Sequence, residues 1–356
     1  MDFLTLSPYE LSSDKKTEFL SDILGKLTKK HYENCTAYHR MLDAINFDPY
    51  VPCNYENIPF LPVSLFKKLE LKSVSKEEVF KTLTSSGTTG QSVSRIYLDR
   101  DTASIQQKIL VKIVESFTGA ARCPMLIIDC PSVVKDRTMF SARGAGILGF
   151  SIFGSDKTYA LNDDMELDVD LVKTFLDKHR GKRILIFGFT FMIWQHFLKE
   201  IEQTGIEVDL SNAIMIHGGG WKKLTSEQVS PSEFKQRLKD ACGLSEVHDY
   251  YGMVEQTGTI YMECECGHLH SSVFSDIIIR RHTDFSICNY GEKGIIQVVS
   301  ALASSYPGHS LLTEDEGLIL GEDDCSCGRK GKYFKVIGRL KNAEIRGCSD
   351  TYAAKF

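Results

Sequence analysis

The chain of 356 residues is 42% hydrophobic and 25% charged, an ordinary globular composition with room for one large or two medium domains. A formal net charge of -5, without a long run of lysine or arginine, argues against a nucleic-acid groove or an anionic membrane surface as the main partner. Small-molecule chemistry is the better expectation.

Residues 1–58 read as an N-terminal helical region. Their opening, MDFLTLSPYELSSDKK, carries acidic and polar groups where a secretory signal needs a basic start and an apolar run, so a cytoplasmic protein is expected. Residues 59–257 read as an α/β nucleotide-binding core. Near its start the segment Thr84 to Gly90, TSSGTTG, follows a short apolar run and packs hydroxyl side chains among glycines. Glycines let a backbone turn its N–H groups inward, and hydroxyls add donors, so Ser85, Ser86, Gly87, Thr88, Thr89 and Gly90 form a candidate phosphate cradle. The spacing is not that of a Walker loop, and a polar surface turn is the plain alternative.

A helix is predicted from Thr102 to Phe117, then a strand from Met125 to Asp129. ILIFGFTFMIW, from Ile184 to Trp194, falls short of the roughly 20 residues of a spanning helix. It reads as a buried strand entering a helix that continues through Gln195 to Gln203. AIMIHGGG at Ala213 follows as another strand, and Ser230-Pro231-Ser232-Glu233 forms a capping box before a helix ending at Ala241. This alternation is α/β grammar. The apolar stretches Met139 to Phe153 and Gly188 to Phe197 read as core rather than as an acyl tunnel.

At the end of the last predicted parallel strand stand Tyr250, Tyr251, Gly252 and, three residues on, Glu255. Open α/β sheets place ligands at such strand ends, and Glu255 is suited to hold Mg²⁺ against phosphates. From 258 to 337 the texture becomes strand-rich: SVFSDIIIR, GIIQVVS, HSLLT and GLILG are separated by turn residues. Among eleven cysteines, Cys264-Glu265-Cys266-Gly267 and Cys325-Ser326-Cys327-Gly328 repeat one knuckle pattern that suits a tetrahedral metal better than disulfides. Four cysteines, or three with a histidine, both satisfy that pattern. Residues 338–356 form a hinge-like tail in which Cys348, beside Arg346, is a candidate nucleophile.

The cradle and the Tyr-Gly-x-x-Glu segment together resemble the acyl-adenylate-forming superfamily. Within it the chain is similar to the LuxE-type acyl-protein synthetases, with phenylacetate-CoA ligases as cousins, over roughly Pro59 to the C-terminus. PFLPVSLFKK, HGGGWKK, DYYGMVEQTG, SYPGHSLLTED and GRLKNAEIRGCSDTY carry the likeness.

The resemblance implies an adenylate-forming N-terminal-type domain with a strand-rich, zinc-bearing subdomain and no full C-terminal domain. It implies that ATP and Mg²⁺ activate a carboxylic acid, most simply a fatty acid. His217, Gly218, Gly219 and Gly220 correspond to the adenine-binding strand end, Asp315 to the ribose-binding aspartate, and Arg339 to the hinge arginine. A structural Zn²⁺ is implied on Cys264, His270, Cys325 and Cys327. Cys348 is implied as acyl acceptor, with an acyl reductase as protein partner and no transmembrane segment. The lysine that follows the loop in many relatives is absent, and Arg95 is the nearest cation. An acid–CoA ligase and a non-catalytic nucleotide-binding protein are the alternative readings.

Overall fold

Leu20, Leu24 and Leu27 recur at helical spacing, and the segment that carries them forms α1, Ser13–Asn34. The structure is a computed structural model that describes residues 4–85, 93–135 and 142–340. They fall into two compact units, 4–116 with 252–340, and 117–251. Residues 59–116, grouped above with the α/β core, therefore belong with the N-terminal helices and the strand-rich region.

In the first unit α1 is followed by α2 (Thr36–Ala44), β1 (Leu61–Pro62) and α3 (Leu65–Lys68), then the hairpin β2 (Lys81–Thr84) and β3 (Arg95–Leu98), then α4 (Arg100–Thr118). The predicted helix over 102–117 thus starts two residues earlier, where the Asp99 carboxylate accepts the Thr102 N–H at 2.7 Å.

The second unit contains β4 (Cys123–Ile128), α5 (Ser132–Lys135), α6 (Ala142–Phe150), β5 (Gly154–Tyr159), α7 (Val169–Lys178), β6 (Ile184–Phe189), α8 (Thr190–Ile193), α9 (Lys199–Thr204), β7 (Ala213–Gly218), α10 (Pro231–Cys242) and β8 (Glu246–Tyr251). Its strands are parallel in the order β8-β7-β6-β4-β5. Every residue of β4, β6 and β7 is buried, the expected state of parallel strands covered on both faces. The helix after β6 begins at Thr190, earlier than its polar residues suggested, and passes through a π-helical turn at Trp194–Leu198. Ser230 caps α10 by accepting the Glu233 N–H at 3.1 Å, as the capping box predicted.

The chain then returns to the first unit with β9 (Tyr261–Glu263), β10 (Leu269–His270), β11 (Ser275–Arg280), β12 (Gly294–Ser300), β13 (Ser310–Glu322) and β14 (Lys332–Arg339). These pair antiparallel in the order β9-β10-β14-β13-β12-β11, with β1 parallel to β13. HSLLT and GLILG, expected as separate runs, are two parts of β13.

α1 closes this unit by burying Leu20, Leu24 and Leu27 against Tyr55, Ile58, Ile278 and Val299. A buried charge cluster accompanies that contact. Lys16 Nζ lies 3.3 Å from Asp276 Oδ1, Lys332 Nζ lies 3.6 Å from Oδ2, and Tyr55 donates to Oδ2 at 2.5 Å. The mixed α/β expectation holds.

Candidate active site

In the second unit the strand ends present glycines where aromatic rings leave no room for a Cβ. A Cβ on Gly218 would sit 2.7 Å from the Tyr250 ring, and one on Gly219, which has φ +84°, would sit 2.6 Å from Phe189. Phe150 continues this aromatic floor, stacked on Phe187 at 4.4 Å and tilted against Tyr250 at 5.0 Å.

His217, the residue before the last of β7, has its Nδ1 3.0 Å from Thr190 Oγ1, whose hydroxyl reaches Gly218 O at 3.1 Å. Its Nε2 is buried and has no hydrogen-bond partner among the described residues. Burial first, and the nearby Lys235 and His248 second, lower the imidazole pKa to about 3, so the ring is neutral at physiological pH. A neutral ring at a strand end can exchange hydrogen bonds with a base without adding charge. No helix of the described residues is long and apolar enough to cross a membrane. Met192, Trp194 and Phe197 are core, as their stretch suggested.

In the first unit the β2–β3 hairpin pairs Thr84 with Arg95 and brings the base of the Ser/Thr/Gly loop to one edge. Ser85 N donates to Ser94 O at 3.2 Å, and Ser94 N donates to Ser85 Oγ at 2.9 Å. Ser86, Gly87, Thr88, Thr89 and Gly90 lie outside the described residues, as does Cys348. Glu255 is buried in a short 3-10 turn, Val254–Gln256, directly after Gly252 and Met253.

Asp315 and Arg339, far apart in sequence, are cross-strand partners on β13 and β14. Arg339 Nη2 donates to Glu314 Oε2 at 2.9 Å, and its Nε lies 3.6 Å from Asp315 Oδ1. The Asp315 N–H is fixed by Thr313 Oγ1 at 3.1 Å.

The two cysteine knuckles also meet in this unit. Cys264, His270, Cys325 and Cys327 bring one ligand atom each to within 4.8 Å of one another. Cys264 Sγ and Cys325 Sγ are 3.9 Å apart, and Cys327 Sγ is 3.4 Å from His270 Nε2. Tetrahedral zinc–sulfur bonds of about 2.3 Å hold sulfurs about 3.8 Å apart, so the donor set and its spacing fit that ion.

Gly267 and Gly328, at φ +79° and +81°, make the tight returns. Cys266 is exposed and is not among the four clustered residues. The His268 ring stacks on Tyr333 at 4.8 Å and sets its Nδ1 3.4 Å from Cys325 Sγ, the place of a supporting hydrogen bond.

A family model described as acyl-protein synthetase, LuxE, matches residues 2–356. The chain belongs to the LuxE family of acyl-protein synthetases. It is similar to the long-chain-fatty-acid–luciferin-component ligase of Vibrio harveyi, with 23% identity over 98% of this chain and 91% of the relative. The ligase of the same name from Aliivibrio fischeri is 22% identical, with the same coverage of each chain.

Among solved structures, the fold matches an open conformation of 2-hydroxyisobutyryl-CoA ligase in complex with 2-HIB-AMP and CoA. The TM-score is 0.72 at 14% identity, covering 94% of this chain and 77% of the ligase. A second structure of that ligase, in the postadenylation state with 2-HIB-AMP, matches with the same TM-score and covers 70% of its chain. At this identity the likeness is one of fold.

As a LuxE-family enzyme the protein is a ligase that activates acyl groups. Nothing in the string SYPGH by itself marks Tyr306 for a role. Its ring is wholly buried, and its hydroxyl donates to the carbonyl of Glu255 at 2.9 Å. Gln106, read only as part of a helix, donates in turn to that hydroxyl at 3.3 Å. Glu255 lies 51 positions and Gln106 200 positions before Tyr306, so no local pattern marks either pairing.

Proposed function

We propose that this LuxE-family protein converts a fatty acid and ATP into an acyl-adenylate and then takes the acyl group onto Cys348, acting in the cytoplasm. The family match along the whole chain carries this reading. In the first step a carboxylate oxygen attacks the α-phosphorus, and the bond to the bridging oxygen breaks as pyrophosphate leaves. In the second the Cys348 sulfur attacks the acyl carbonyl carbon, and AMP departs as the carbon–oxygen bond breaks. Splitting the transfer replaces one hard displacement by two easier ones.

The residues divide the work by chemistry. Backbone N–H groups and hydroxyls of Ser85 to Gly90 grip the phosphates, and the neutral His217 with Gly218, Gly219 and Gly220 borders the adenine. Tyr250, Tyr251 and Gly252 shape the strand end beside it, and Asp315 accepts from the ribose hydroxyls. Glu255 holds Mg²⁺, which when bound neutralises charge on the phosphate oxygens. Arg339 meets charge that builds on the five-coordinate phosphorus. Cys264, His270, Cys325 and Cys327 would hold a Zn²⁺ through four protein ligands, and these residues would thereby tie the two knuckles together. The stored acyl group is then delivered to a protein partner, an acyl reductase.

The test is full-length protein with ATP, Mg²⁺ and radiolabelled long-chain acids. The expected result is acid-dependent pyrophosphate release and label that stays on protein after denaturation, absent from Cys348→Ser. Label appearing only on added coenzyme A would favour an acid–CoA ligase. Absence of acid-dependent exchange with any acid would leave a nucleotide-binding protein.

A further inference from the structure

The segment Ser305-Tyr306-Pro307-Gly308 reaches two parts of the first unit that the proposed chemistry uses separately. On one side Ser305 Oγ donates to Tyr97 O at 2.8 Å, on β3 of the hairpin that ends in Ser85. On the other side Tyr306 donates its hydroxyl hydrogen to Glu255 O at 2.9 Å. A phenol has one hydrogen to give, so Gln106 must present its amide N–H to the same oxygen, which it does at 3.3 Å. Gln106 lies in the second turn of α4, the helix that begins immediately after β3. The hairpin, the helix that leaves it and the Glu255 turn are thus joined through two adjacent side chains, Ser305 and Tyr306.

The packing around that phenol has little slack. Tyr306 is fully buried, and Glu255 and Gln106 are 1% and 2% exposed. A Cβ on Gly308 would sit 2.2 Å from the Tyr306 ring and 3.0 Å from Glu255 O. A Cβ on Gly258, with φ +94°, would sit 2.7 Å from Gln106 O. Gln256, next to Glu255, donates its Nε2 to both Gly308 O at 2.8 Å and Val298 O at 3.1 Å. Glu255 and Gln256 are therefore both held by groups of the Ser305–Gly308 segment, Tyr306 Oη and Gly308 O. Burial raises the Tyr306 pKa, which keeps the hydroxyl protonated and donating at any working pH.

We infer that Tyr306, oriented by Gln106 and anchored to the hairpin through Ser305, is a positioning residue that sets the place of the Glu255 carboxylate relative to the base of the phosphate loop. This rests on the reading of Glu255 as the Mg²⁺ ligand. A carboxylate that binds a metal between itself and a polyphosphate must be held at a fixed distance from that polyphosphate, because Mg²⁺ demands near-ideal octahedral geometry. The brace supplies that fixity through the Glu255 backbone carbonyl.

The experiment is ATP–pyrophosphate exchange by the full-length chain with a long-chain acid, titrated with Mg²⁺. Tyr306→Phe keeps the ring and removes the hydroxyl. It is expected to raise the Mg²⁺ concentration for half-maximal exchange by about fivefold, the effect of one lost hydrogen bond, while the KM for the acid stays within about twofold. Gln106→Leu is expected to shift the Mg²⁺ requirement in the same direction, and the double variant to add little, since both act through one hydroxyl.

Should Tyr306→Phe not yield folded protein, the Gln106→Leu titration decides. An unchanged Mg²⁺ requirement in folded Tyr306→Phe, while Glu255→Gln raises it, overturns the brace and leaves the Glu255 assignment standing. If Glu255→Gln itself leaves the requirement unchanged in an active enzyme, the Mg²⁺ role of Glu255 fails and the inference falls with it.

Discussion

Asp315 stands directly opposite Arg339 across the β13–β14 pairing, and the arginine divides its guanidinium between Asp315 and the adjacent Glu314. Two groups assigned to different steps, ribose binding and charge stabilisation, are therefore held on one pair of strands.

That pairing separates a stability effect from a catalytic one. The Arg339 side chain is 35% exposed, and a partly solvated pair of this kind contributes about 1 kcal/mol or less to folding. A donor aimed at transition-state charge is worth about 100-fold or more in rate. Arg339→Ala is expected to melt close to the parent while losing about 100-fold in pyrophosphate exchange, with Arg339→Lys recovering part of it. Equal exchange rates in Arg339→Ala and the parent would remove the arginine from the mechanism.

The knuckle cluster predicts about one zinc per chain, measured by elemental analysis of protein purified without chelator. Cys325→Ser is expected to lose the metal and to melt several degrees lower, because binding free energy of a four-ligand site is folding free energy. Cys266→Ser, outside the cluster, is expected to retain it. Full metal content in Cys325→Ser, or loss of metal only in Cys266→Ser, contradicts the assigned ligand set.

Acid should weaken the fold through a buried histidine pair in the first unit. His31 and His309 pack with ring centroids 4.9 Å apart, and both are essentially inaccessible to water. His31 is held by Ser73 Oγ at 2.8 Å and Ala303 O at 2.9 Å, and His309 by Thr28 Oγ1 at 2.9 Å. Burial lowers the His309 pKa to about 3. Burial, then the neighbouring His309, drives His31 well below the usual imidazole value.

A depressed folded pKa means the unfolded chain takes up the proton first. The stabilising contribution is therefore complete above about pH 6.5 and is lost as pH falls toward about 3. Urea unfolding is expected to show a loss of about 2 kcal/mol from His309 between about pH 6.5 and 5, with His31 acting in the same direction. His309→Gln, which cannot titrate, should flatten that slope. A parent protein equally stable at both pH values would refute the assignment.

Local patterns were legible in the sequence wherever one segment's own periodicity or cap decides the element. The helix at 102–117 appears as Arg100–Thr118, the runs at Ile184 and Ala213 are β6 and β7, and Ser230 caps its helix as its neighbours required. The run Thr313-Glu314-Asp315-Glu316 misled for a local reason, since consecutive carboxylates resemble a turn. In β13 they are tolerated because Arg339 faces Glu314 and Asp315, while Lys293 and His282 face Glu316 at 2.8 Å and 3.1 Å.

What the sequence by itself determined was the repertoire: the alternating strands and helices, the hydroxyl-rich loop, the matched knuckles and the family. What only the tertiary structure decided was partnership. It put α1 on β11 and β12, left Cys266 out of the cluster, placed Asp315 across from Arg339, and hung Glu255 from Tyr306. The physical reason is that periodicity reports which face of an element is apolar or polar. Which distant side chain satisfies a buried donor or carboxylate depends on how strands register and helices dock, and no local pattern encodes that.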